Sequence, residues 1–184
     1  MKTFNEMKPR RALAVVGALI FSSTLTAPAI ADRPTSMPYK MTVIEDAAYG
    51  RKVTSGDYEQ AIRKITDDGT RSSGRFADQV NLCVAYAKST DLQRAGKACN
   101  AAIAHLRKQE RRATRDRSKS NPVFRRYQRD LAVALSNRGV LLAVSGDAEK
   151  AREDFAAAIE LQTRVSSIAR SNLERLEQSA VPEA

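Results

Sequence analysis

The chain has 184 residues, enough for one domain with an appendage. Charged residues are 28% and hydrophobic residues 42%, too apolar for a fully disordered chain; 5% aromatics, no Trp, 8 Gly and 6 Pro argue for helices over an all-β sandwich or barrel. Two Cys and one His leave almost no room for zinc fingers, Fe–S clusters or multi-His metal sites, and the net charge of +10 raises the question of where the basic residues lie.

The first element is not expected to belong to the fold. Lys2, Lys8, Arg10 and Arg11 make a basic start, residues 12–25 are largely apolar, and Ala27-Pro28-Ala29-Ile30-Ala31 places small residues at −3 and −1 of a cut after Ala31. That is the three-part pattern of a secretory signal peptide, residues 1–31, of bacterial Sec type. The uninterrupted apolar run, residues 12–21, is far shorter than the roughly 20 residues of a spanning helix, so no integral membrane segment is expected after cleavage. No Cys stands at the cut, which argues against a lipoprotein. The expected location is the periplasm or the outside of the cell. Removing residues 1–31, net +3, leaves a mature chain of net +7.

Residues 32–41, with Pro34 and Pro38, are predicted to be extended. Residues 41–53 suggest a short first helix through Ile44, Ala48 and Val53, weakened by Gly50. Three segments then align: Ser55-Gly56-Asp57-Tyr58-Glu59-Gln60-Ala61, Ser89-Thr90-Asp91-Leu92-Gln93-Arg94-Ala95 and Ser145-Gly146-Asp147-Ala148-Glu149-Lys150-Ala151. Ala61 and Ala95 are 34 residues apart; Ala95 and Ala151 are 56 apart, one such period plus 22. Each segment reads as a tight turn ending one helix, an Asp capping the next, and a small Ala that lets the two helices approach. The helix opened by the first is expected to end early, at Asp67-Asp68-Gly69. Phe76, Val80, Cys83, Val84 and Ala87 repeat with helical spacing before the second turn, as do Ala95, Cys99, Ala102, Ile103 and Leu106 after it.

The extra 22 residues form a basic insertion, 110–131. Residues 107–129 carry ten Lys or Arg and two acids: Arg107, Lys108, Arg111, Arg112, Arg115, Arg117, Lys119, Arg125, Arg126 and Arg129 against Glu110 and Asp116. Ser120-Asn121-Pro122 is a restart signal, a capping residue followed by Pro at the first helical position. The expected result is a hairpin with extended helices. Ile168, Ala169, Leu173 and Leu176 then continue an apolar stripe, predicting a cap helix at 166–178 and a loose tail at 179–184.

Asn137, Gly139, Leu142, Gly146-Asp147, Glu149-Lys150-Ala151, Phe155 and Ala158, with Asn81-Leu82, Tyr86, Asp91, Ala95 and Ala102, resemble the tetratricopeptide repeat family. The resemblance covers residues 42–178, with units at about 42–75, 76–109 and 132–165. It departs from the family pattern where Cys83 replaces Gly, Cys99 replaces an aromatic, and Arg138 stands at an apolar position. It implies an all-α, short solenoid of about three helical hairpins plus a C-terminal cap helix. It further implies a concave groove lined by first helices, in which Asn81 and Asn137 hydrogen-bond an extended peptide backbone; Lys88 shares that face and suits a carboxylate.

Cys83 and Cys99 are nearly equidistant from the turn at 89–91 and should be neighbours within one hairpin. An exported compartment permits a disulfide between them; two buried thiols acting as small hydrophobes are the other reading. His105 lies on the same helix as Cys99 with nothing that suggests a triad. No nucleophile elbow, phosphate loop or metal motif is present, so no catalytic residue, metal site or cofactor is assigned. The expected function is a non-enzymatic interaction scaffold for a protein or peptide partner, an acidic one included. The alternative is a polyanion- or envelope-binding protein acting through Arg111, Arg112, Arg115, Arg117, Arg125, Arg126 and Arg129. Export argues against nucleic acid as the partner. Self-association is open to a short solenoid with exposed ends.

Overall fold

Two glycines and one threonine set the helical hairpins. Gly56, Thr90 and Gly146 take φ of 89°, 63° and 86°, the left-handed conformation that reverses a chain after a helix. One residue later, Asp91 and Asp147 accept hydrogen bonds from the backbone N–H of Arg94 and Lys150, capping the helices that follow. In the computed structural model, which describes residues 37–72, 76–114, 117, 118 and 120–180, this local chemistry produces seven helices and no strand among the described residues. The signal-peptide expectation for residues 1–31 and the start of the extended segment lie outside the described residues.

The helices are α1 (Gly50–Thr54), α2 (Tyr58–Ser72), α3 (Phe76–Lys88), α4 (Leu92–Ala113), α5 (Pro122–Val144), α6 (Ala148–Glu160) and α7 (Ser166–Ala180). Each packs on the next from α1 through α7, and the connection between α2 and α3 crosses undescribed residues 73–75. Asn121 caps α5 through its side chain, with Pro122 at the first helical position.

Apolar residues gather in three clusters. Val53, Ala61, Val84 and Ala85 join α1, α2 and α3. Cys83, Tyr86, Ala95, Ala98, Cys99 and Leu141 join α3, α4 and α5. Val133, Val140, Phe155, Ala158, Ala169 and Leu176 join α5, α6 and α7, with Val80, Ile103 and Leu106 contributed by the preceding pair. Small residues at the crossings bring backbones together: a β-carbon on Gly139 would stand 2.7 Å from the Phe155 ring, so only glycine fits there.

Three boundaries differ from the sequence-based expectation. Residues 41–53 do not form one helix: the chain stays extended through Ile44, and only Gly50–Thr54 is helical. The backbone groups of Thr42 and Ile44 are engaged by side chains from other helices, so they are withdrawn from any helical ladder. The Asp67-Asp68-Gly69 triplet does not end α2, which continues to Ser72. An interior glycine costs about 1 kcal/mol, too little to stop a helix anchored by buried Ala61 and Ile65. The last helix runs to Ala180, two residues beyond the expected cap.

Candidate functional site

Residues 37–44, here called the strap, lie across α3, α5 and α7. Three asparagines hold them. Asn172 of α7 accepts from the Lys40 N–H at 2.9 Å and donates to the Lys40 carbonyl at 2.8 Å. Asn137 of α5 does the same for Thr42, at 2.8 Å in both directions. Asn81 of α3 does the same for Ile44, at 2.9 and 3.0 Å. A carboxamide has one acceptor oxygen and a donor NH₂, so it matches the N–H and C=O that one residue of an extended chain turns to one side. Alternation with period two explains why residues 40, 42 and 44 are gripped and 41 and 43 are not. The three asparagines act as an edge strand made of side chains, reading backbone and not sequence.

Each asparagine is at most 1% exposed. A buried amide with a missing partner costs about 1–3 kcal/mol, whereas each completed bond nets about 1 kcal/mol. The strap runs opposite to the helix order, from α7 back to α3, and ties residues 132, 95 and 37 positions apart. Its side chains supply apolar contact: Tyr39 is buried, Met37 packs on two of the apolar clusters, and Met41 packs on all three. The Thr42 hydroxyl is buried without a hydrogen-bond partner among the described residues.

A tight link joins the strap to α1. Ala47 N–H donates to the Ile44 carbonyl at 3.2 Å, Gly50 N–H donates to the Ala47 carbonyl at 3.0 Å, and Tyr49 sits at φ 63°. The Tyr49 hydroxyl donates to the Asp68 carboxylate, and that bond, with burial and the nearby negative charge, raises the phenol's pKa. A β-carbon on Gly50 would stand 2.2 Å from the Ile44 carbonyl oxygen. No other residue fits without moving the strap's end.

The structure therefore brings Asn81 and Asn137 together on one extended segment, and that segment is the chain's own. Lys88 closes α3, half-buried, two turns beyond Asn81, and lies outside the ladder. Asn172 belongs to the ladder and escaped the sequence reading. It stands 35 residues after Asn137, one more than the repeat period, so a strict 34-residue projection lands on Ser171. The helix expected only to cap the array supplies a third of the grip.

Cys83 and Cys99 are joined in a disulfide with Cα atoms 5.0 Å apart, bridging α3 to α4 two residues from Asn81. Of the basic insertion, Arg111 is exposed near the end of α4, Arg112 lies one residue further along that helix, Arg117 is exposed beyond it, and Arg115 lies outside the described residues. Arg125, Arg126 and Arg129 rise from the first turns of α5. Asp130, which the charge count had not connected to them, pairs with Arg129 at 3.1 Å and Arg126 at 3.6 Å. Arg125, Arg126 and Arg129 line a cleft of about 720 Å³ whose far side carries Arg164, from the α6–α7 connection. His105 shares a hydrogen bond with Gln109 one turn on. Among the described residues no helix is long and apolar enough to cross a membrane.

No protein-family model matches this chain, and no curated protein or solved structure is significantly similar to it.

Proposed function

We propose that this chain is a non-enzymatic, exported interaction module, a short tetratricopeptide-like solenoid that holds an extended segment of a peptide or protein partner against its first helices. The observation that carries the reading is the ladder: three buried asparagines, each closing two hydrogen bonds to one residue of an extended backbone. Side chains arranged this way recognise the extended conformation itself, the logic of strand addition to a sheet edge. The recurrence at 56 residues supports the repeat reading, because Asn81, Thr90, Asp91 and Ala95 return as Asn137, Gly146, Asp147 and Ala151. The disulfide suits an oxidising compartment, the periplasm or cell exterior.

The test is selection of binders from a library of unstructured nonapeptides displayed against the full chain. Selected peptides are expected to lose at least tenfold in affinity, about 1.4 kcal/mol, toward an Asn81→Ala/Asn137→Ala variant. Binders indifferent to both asparagines would end the reading. Export is tested separately: mass spectrometry of the chain recovered from a bacterial periplasm should find Asp32 at its N-terminus, and a retained Met1 would refute cleavage.

A second reading rests on the cleft lined by Arg125, Arg126, Arg129 and Arg164, four cationic side chains from two elements. Such a surface suits a polyanion of the cell envelope. Binding of a sulfated polysaccharide should then weaken steeply between about 50 and 200 mM salt, as released counterions compete. Arg125→Gln/Arg164→Gln should remove that dependence; salt-insensitive binding would exclude this role.

A further inference from the structure

The strap is the occupant of the asparagine groove, and its seating has features of a replaceable one. Among the described residues its polar hold consists of bonds to backbone, which any extended peptide offers equally. Its fit is imperfect, since the Thr42 hydroxyl is buried without a hydrogen-bond partner among the described residues. Its link to the body is short and includes a non-glycine residue, Tyr49, in the left-handed region, a conformation that costs energy. What the groove selects beyond backbone is legible from what it covers: Met37, Tyr39 and Met41, bulky apolar side chains at every second position.

We propose that residues 37–44 are an intramolecular stand-in for the ligand. The groove takes an extended peptide with large apolar side chains at positions i, i+2 and i+4, running from α7 toward α3, and the strap competes with it for Asn172, Asn137 and Asn81. The proposal rests on the peptide-groove reading above and adds the class of peptide and the resident competitor. A tethered segment acts at an effective concentration in the millimolar range. An incoming peptide therefore binds only the fraction of molecules whose strap is out, and its apparent affinity falls by that fraction.

The probe is a fluorescein-labelled synthetic nonapeptide with the sequence of residues 37–45, titrated by anisotropy into the full chain. Thr42→Pro removes the N–H that Asn137 accepts, and Lys40→Pro removes the one that Asn172 accepts; neither changes a residue of α3, α5 or α7. Each is expected to bind the probe at least tenfold more tightly than wild type. Thr42→Val, which deletes the orphan hydroxyl, is expected to bind it more weakly. Adding Asn137→Ala to Thr42→Pro should erase the gain, and a probe with Asp in place of the Tyr39-equivalent residue should lose at least tenfold. Circular-dichroism melts establish whether the variants remain folded. If both proline variants lose their cooperative melt, the strap is a permanent part of the fold and the proposal is overturned. Equal, asparagine-dependent binding by wild type and variants refutes competition and leaves the peptide groove standing. Folded proline variants that bind no probe refute the groove and the competition together.

Discussion

At the crossing of α5 and α6, Gly139 passes beneath the Phe155 ring; fifty-six residues earlier, at the crossing of α3 and α4, Cys83 is bonded to Cys99. The two hairpins, 56 residues apart in the chain, each close a helix crossing, and they do so by different means. In α5–α6 a bare backbone admits a large ring, and the gain is area removed from water. In α3–α4 two small side chains meet and the gain is covalent, mainly through the constraint placed on the unfolded chain. One position along, the exchange is of another kind. Leu82 and Ala98 of the first hairpin become Arg138 and Asp154 in the second, a bidentate pair at 2.6 and 2.7 Å with Asp154 buried. This explains an arginine at an expected apolar position: the Asp154 carboxylate satisfies it, and that hydrogen bond raises the guanidinium's pKa. A close helix crossing constrains the geometry of a contact more tightly than its chemistry.

The comparison can be attacked at four points. The largest effect is expected for Phe155→Ala, which leaves a cavity over Gly139 that no neighbouring side chain fills; urea unfolding should show a loss of about 3–5 kcal/mol. Cys83→Ala/Cys99→Ala should cost about 3 kcal/mol by the same measurement, given the 16-residue separation. The informative partner is Cys83→Gly/Cys99→Phe, which installs the α5–α6 solution in α3–α4. It should recover a good part of that loss, and a graft no more stable than the double alanine would break the equivalence of the two crossings.

Asp154→Ala strands Arg138 in a half-buried place and should cost about 2 kcal/mol, below the range for fully buried pairs because Arg138 keeps some water. Arg138→Leu/Asp154→Ala copies the first hairpin and should return stability to within about 1 kcal/mol of wild type. A double variant as unstable as the single would mean the ion pair has its own structural role. The smallest effect concerns the caps. The Lys150 ammonium and backbone N–H hold the Asp147 carboxyl below its usual range, and the Arg94 backbone N–H, then its side chain, do so for Asp91. Because the folded-state values are the lower ones, this stabilisation is complete above about pH 4 and fades as pH falls through the depressed values. Asp91→Asn/Asp147→Asn keeps a capping oxygen but takes up no proton, so its melting temperature should decline less than wild type's between about pH 4 and pH 2.

Local chemistry was legible. Left-handed turn residues, capping aspartates, Pro122 at a helix start and the helical spacing of apolar positions all act within a few residues, and the α3–α6 boundaries fall close to where these signals put them. Local signals misled where tertiary contact outweighed them. Gly69 did not stop α2, and residues 41–44, with nothing to forbid a helix, remained extended because their backbone groups found asparagines elsewhere.

The helical hairpins and the neighbourhood of Cys83 and Cys99 were readable from the residues alone, because a hairpin brings together residues equidistant from a turn a few positions away. That Asn81 and Asn137 share one face was what the tetratricopeptide resemblance implied. What those asparagines hold depends on packing between distant parts of the chain. The strap pairs Lys40 with Asn172 across 132 positions, through backbone groups that every residue but proline carries alike. Such a contact leaves no mark in the strap's own side chains, and the one-residue lengthening before α7 carried the third asparagine out of register with the other two.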